Sequence, residues 1–290
     1  MKFIFTAALL LTVNFAWQAD RFPVSTVRVT SVIGETRGDH FHSGTDFAGL
    51  QPLYPVAEGE LLYRRDYYDN PTVPVQGSGS YVVMAHNDNF ISYYFHLLQG
   101  SIVANKKQFA INEKIALMGN SGHSTAAHLH YVLINKKEQK ILNCLKHLPA
   151  TPHKTKPVVR TLLTEIKDKV WKMGDIHRHH SRFKWKGEMK LIAIAYVLVY
   201  SQPAAQRGVT KIGIKVDGRL LKELDFSCIK YDRKGFTLTS GERFDQVCTS
   251  KSFNYKLGKF TPTKNKHTFT VYCEDINGNR DSDSYTVTFR

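Results

Sequence analysis

Long amphipathic helices are scarce in this 290-residue chain, and that argues against a helical architecture. Long apolar runs are missing as well. Past the N-terminal segment the longest spans residues 191–200, the length of a strand and too short for a membrane span. Cysteine is sparse, at positions 144, 228, 248 and 273, with none near the N-terminus to carry a lipid anchor. Four cysteines allow three pairings, free buried thiols are a further option, and spacing selects none of these. No RNP, zinc-finger or helix-turn-helix pattern occurs, so the net charge of +15 does not by itself mark a nucleic-acid binder. Internal repeats and low-complexity tracts are also missing.

Short alternating segments bounded by Gly, Asn and Asp dominate instead. Residues 24–29, 61–63, 81–84, 91–95, 114–118 and 130–134 predict strands of a first domain. Residues 148–157 carry three prolines and predict an extended, semi-rigid linker. Beyond it, residues 158–166, 189–200, 211–216, 236–238, 267–273 and 284–289 read as strands. Asp217-Gly218 and Asn277-Gly278 are hairpin-turn dipeptides. About seven strands with regular turns predict an immunoglobulin-like sandwich. At the other end, Lys2 precedes an apolar run from Phe3 to Phe15, with Ala16 and Ala19 ahead of Asp20. A short positive region and an apolar core of that length read as a secretory signal. The expected organisation is mainly β: a signal over 1–19, a first domain over 20–148, a linker over 149–157 and a basic β-sandwich over 158–290.

Thirteen histidines are present, and four of them form a pattern with one aspartate. His128 and His130 lie two apart in an apolar run, so a strand would send both from one face. His42 and Asp46 stand four apart upstream, and Tyr94-Phe95-His96-Leu97 ends another strand-like run. Imidazole nitrogen and carboxylate oxygen suit zinc, whose catalytic sites keep three protein ligands and one open position.

In this order, His42-x-x-x-Asp46, Tyr94-x-His96-Leu97 and Ser121-Gly122-x-Ser124-Thr125 followed by His128-Leu129-His130 resemble the lysostaphin/LytM-type zinc peptidases. The resemblance covers roughly residues 30–145. It implies that His42, Asp46 and His130 hold Zn²⁺. It implies too that His128 and His96 act on the attacking water and the oxyanion, His128 nearer the water and His96 across the groove. The common substrate of that family is the peptide cross-link of bacterial cell walls. An exported zinc endopeptidase of the periplasm, envelope or extracellular space is the function so implied. The alternative is a non-catalytic wall-binding module or an activator of other wall hydrolases, a role in which metal ligands are typically lost. Two positions depart from the family pattern: Ala126-Ala127 replaces Gly-Pro, and Val132 stands where an acidic residue is common.

The other histidines read differently. His40 is expected in solvent or behind the ligands, and His86 and His123 in loops. His177-Arg178-His179-His180 reads as a solvated basic loop. Charge is divided unevenly: residues 24–148 hold 11 basic and 10 acidic side chains, while residues 149–290 hold 27 and 14. The downstream half therefore carries a field that attracts polyanions, and anionic wall polymers or lipid head groups are its expected partners; no nucleic acid is expected. The division into two units also predicts that each half works alone, one binding wall material and the other cleaving soluble peptides.

Overall fold

The computed structural model describes residues 17–69, 75, 77–87, 89–179, 183–200 and 204–290, with backbone only at 177–179. Most of the expected signal thus lies outside the described residues. The part inside is packed: Trp17 stacks on Phe90 at 4.5 Å, and the Ala19 amide donates to the His147 carbonyl at 2.7 Å. No helix among the described residues is long and apolar enough to cross a membrane.

The first domain is built on an antiparallel sheet whose central pair is Phe90–Leu97 and His128–Asn135. Ser80–Ala85 and Gly59–Arg65 extend it on one side. On the other side, Thr45–Ala48 pairs with the first half of His128–Asn135. Strand alternation explains which residues go inside. Leu129, Tyr131 and Leu133 join Phe47, Met84 and Tyr94 in one buried core. His128 and His130 are left on the opposite face.

Behind this domain lie two further antiparallel sheets. One contains Thr155–Ile166, Lys169–Lys172, Met189–Val199, Ala205–Arg207 and Asn254–Phe260. The other contains Lys211–Val216, Arg219–Asp225, Lys266–Glu274 and Arg280–Thr288. Leu162, Ala193 and Tyr255 from the first share a single apolar core with Ile214, Phe269 and Val287 from the second. The second region is therefore β-rich, as the turn spacing predicts. Asp217-Gly218 does form a two-residue hairpin turn, with φ of +50° and +81° between Val216 and its partner Arg219.

Three expectations need correction. Residues 236–238 do not belong to the second region's sheets. Cys228–Asp232 and Gly235–Leu238 form a hairpin that continues the first domain's sheet, pairing Ile229 with Ile141 on Lys140–Leu142. The physical reason is an edge: without the hairpin, Lys140–Leu142 would present unpaired backbone groups. The linker is also shorter than the prolines suggest, because Thr155 already pairs with Val199. Pro157 is tolerated there because Lys169–Lys172 reaches only Leu163–Ile166, leaving the proline on an open edge. Finally, Met173–His179 is a short helix where a loop was expected, and the side chains of His177–His180 lie outside the described residues. The four cysteines are unpaired. Burial pushes the thiols of Cys144, Cys248 and Cys273 up to about 12.

Candidate metal centre

Strand register brings the ligand set together. Asp46 on Thr45–Ala48 lies directly across from His130, and Ala48 directly across from His128. His42 arrives from the loop that precedes Thr45–Ala48. That approach requires a glycine at 44, since a Cβ there would sit 2.6 Å from the Tyr131 carbonyl oxygen and 2.8 Å from His130 Nε2.

Three donor atoms converge. His42 Nε2 lies 3.1 Å from Asp46 Oδ1 and 2.9 Å from His130 Nδ1, and His130 Nδ1 lies 2.8 Å from Asp46 Oδ1. A tetrahedral ion with bonds of 2.0–2.1 Å needs donors about 3.3 Å apart, so slight expansion of this cluster admits zinc. The second hydrogen bonds fit as well. His42 Nδ1–H donates to the Val32 carbonyl at 2.9 Å, which fixes the ring and leaves the Nε2 lone pair free for a metal. Burial disfavours charge on His130 and pushes its pKa down to about 4, against the opposing pull of Asp46. Its imidazole is thus neutral near pH 7. Burial works against charge on Asp46 too, but its close contacts with His130 and His42 outweigh it and hold the carboxyl well below the usual carboxylate range. Two imidazoles and one carboxylate are a donor set that zinc accepts.

His96 and His128 stand beside this cluster with ring centroids 4.8 Å apart. His96 Nδ1–H donates to the Ser121 carbonyl at 2.8 Å, and His128 Nδ1–H to the Ala126 carbonyl at 2.8 Å. Both rings therefore present Nε2 to the groove, and that of His128 is 3.9 Å from Asp46 Oδ1. Burial lowers the pKa of His96 below the ordinary imidazole value, and the nearby His128 adds to the effect. Regular alternation would have sent His96 into the core beside Tyr94. A left-handed backbone at φ +64° turns it back to the groove. A histidine in that conformation is uncommon and costs on the order of 1–2 kcal/mol, which the surrounding sheet must hold in place.

Every site residue expected from the sequence thus lines one groove, which His40 and His123 also border. His86 is elsewhere, its Nε2 2.7 Å from Ser92 Oγ. Two features were not foreseen. Arg37 donates to Asp46 Oδ2 at 3.0 Å and to Ser31 Oγ at 2.7 Å, on the side of the carboxylate away from the histidines. No motif spacing marks it. An aromatic strip also crosses the sheet: Phe95 lies 5.8 Å from His130, Tyr81 5.4 Å from Phe95, and Tyr63 5.6 Å from Tyr81. Alternation marks Tyr81 and Phe95 as outward, but Tyr63 is re-aimed by an extra residue in its strand between Leu61 and Tyr63.

A twisted β-domain with a His-Asp-His cluster on one sheet face defines a metallopeptidase-type domain. Residues 40–142 match the model of Peptidase family M23, and this part of the chain is an M23 domain. A second family model spans residues 175–290. Among curated relatives, an uncharacterized metalloprotease of Buchnera aphidicola is 32% identical over 118 residues, 38% of this chain and 29% of that protein. The peptidoglycan DD-endopeptidase ShyA of Vibrio cholerae is 33% identical over 95 residues, 32% of this chain and 20% of that protein. The murein hydrolase activator NlpD of Escherichia coli is 28% identical over 135 residues, 44% of this chain and 32% of that protein. The chain thus spans no more than about a third of the length of these relatives. A solved zinc-containing peptidase from Vibrio cholerae is 27% identical with a TM-score of 0.34, over 41% of this chain and 37% of that one.

Proposed function

We propose that this chain is an exported zinc endopeptidase that hydrolyses peptide cross-links of bacterial peptidoglycan. The observation that carries the reading is the convergence of His42 Nε2, Asp46 Oδ1 and His130 Nδ1 in a groove that His96 and His128 flank. When bound there, zinc supplies a Lewis acid and lowers the pKa of a coordinated water toward neutrality. The chain's own residues do the rest. Asp46 brings one negative charge, which offsets part of the ion's. His96 and His128 each hold an Nε2 lone pair toward the groove, so either can take a proton from the attacking water. Once protonated, the same nitrogen donates to the oxyanion that forms at the carbonyl. The aromatic strip from Phe95 to Tyr63 offers a binding face for substrate beyond the scissile bond.

The activator alternative has a relative in its favour, the Escherichia coli protein named above. Retention of all three donors and both flanking histidines favours the enzyme. The names of the relatives, which include a DD-endopeptidase and a lipoprotein of Yersinia enterocolitica, support an envelope location. We read residues 1–19 as a secretory signal. We read the two sheets behind the first domain as an immunoglobulin-like sandwich, and its excess of basic residues as an attachment to anionic wall polymer, sensitive to ionic strength.

Digestion of purified peptidoglycan, followed by mass spectrometry of the released fragments, tests the activity. New amino and carboxyl termini within the cross-links are expected. Fragments unchanged by the zinc-loaded protein would contradict the enzyme reading and favour the activator.

A further inference from the structure

We propose that the C-terminal β-region is part of the metal centre's scaffold, and that it positions His42 through Phe41. This rests on the reading of His42 as a metal ligand. In extended chain, adjacent side chains face opposite ways. A backbone that aims His42 at Asp46 and His130 must aim Phe41 away from them. Phe41 is fully buried, but in the core of the C-terminal region and not in that of its own domain. Its ring lies 5.4 Å from that of Phe244 and 6.2 Å from that of Phe226. Ile33, at the start of the same loop, is buried in the same core.

The loop is tied at its polar groups too. The His42 amide donates to the Glu35 carbonyl at 2.7 Å, and the Gly34 amide to the His42 carbonyl at 2.9 Å. The Glu35 carboxylate in turn accepts from the Gly208 amide at 2.8 Å, and Arg207 donates to the Val29 carbonyl. Gly34 has φ +84°, and a Cβ there would meet Phe226 Cδ1 at 2.6 Å, so the loop sits flush on its support. The first metal ligand is thus carried by a loop whose anchors come from residues more than 160 positions downstream. A ligand held in place before the ion arrives loses less on binding, and groups that orient ligands typically carry 10- to 100-fold in metal affinity.

The full-length protein tests this. Zinc affinity is measured by competition with a chromogenic chelator, and exchange of the His42 amide is followed in metal-free protein. Phe41→Ala is expected to weaken zinc binding by about 10- to 100-fold and to speed exchange at His42, with Phe41→Leu recovering part of both. Val287→Ala is the control. It lies in the same core, but toward the far end of its strand from Arg280, whose row of partners leads through Glu274 and Lys211 to Asp225, beside Phe226. It should lower the unfolding temperature and leave zinc affinity unchanged. Wild-type affinity and exchange in Phe41→Ala would overturn the proposal, as would an equal loss of zinc in Val287→Ala. If Phe41→Ala does not fold, Phe41→Leu and Phe244→Leu carry the same comparison, with a smaller weakening expected in each and none overturning it. If the wild type takes up no zinc, the metal reading fails separately and exchange at His42 decides the positioning role.

Discussion

Asp46 and His130 are direct cross-strand partners, and their side chains meet with Oδ1 2.8 Å from Nδ1. Two of the three candidate ligands are therefore set by one hydrogen-bonded register. A slip of one residue would set Asp46 opposite Leu129 or Tyr131 and turn one of the two ligands away from the groove. Arg37 on Oδ2 and the two histidines on Oδ1 then divide the carboxylate between support and ligation.

That division separates ligands from helpers. His96→Ala and His128→Ala are expected to retain zinc, because neither supplies one of the three converging donors. Activity should fall on the order of 10²-fold or more in each, the usual loss for a removed acid–base or oxyanion group. Zinc content and turnover of a synthetic cross-link peptide are measured on the same preparations. A helper variant that is active at the wild-type rate would remove it from the mechanism.

The aromatic strip makes a different kind of prediction. Tyr63 is half exposed and stands three rings away from His130, through Tyr81 and Phe95. Tyr63→Ala should raise KM by about two- to tenfold with kcat unchanged, as expected when binding is lost equally from ground and transition states. A fall in kcat at constant KM would place the ring in the chemistry instead.

Acid should act on the C-terminal region through Asp217. Its carboxylate accepts from the Thr268 amide at 2.9 Å and from His267 Nδ1–H at 2.7 Å. The Thr268 amide is the largest cause of its lowered pKa, burial opposes, and His267 adds to the effect, leaving the group at about 2. The folded value is below the unfolded one near 3.9, so this stabilisation is present above pH 3.9 and lost as pH falls toward 2. Asp217→Asn keeps a residue that tolerates the φ of +50°. It should lower the unfolding temperature at pH 7, with the difference from wild type shrinking as pH falls from about 3.9 through about 2. A constant difference across that range would assign the effect to the turn and not to the charge.

How much of this was legible in the sequence depended on distance along the chain. His128 and His130 were readable from a period of two, and Asp217-Gly218 from its turn chemistry. His96 was reached only through a motif, because alternation places it in the core and a single left-handed residue reverses that. Arg37 and Phe41 carried no local signal at all, since their partners are fixed by tertiary packing. The hairpin of Cys228–Asp232 and Gly235–Leu238 illustrates the same limit: residues 236–238 read as a local strand of the second region, yet the open edge of Lys140–Leu142 recruits the hairpin that holds them. Independence of the two halves, a fair inference from three prolines, is opposed by that shared sheet and by the seat of Phe41.

The central claim is that His42, Asp46 and His130 together hold a single zinc ion. Elemental analysis of the full-length protein and of His42→Ala, Asp46→Ala and His130→Ala tests it most directly. About one zinc per chain is expected in the wild type, as for a three-ligand catalytic site, and most of it should be lost from each variant. A full complement of zinc in all three variants would contradict the claim.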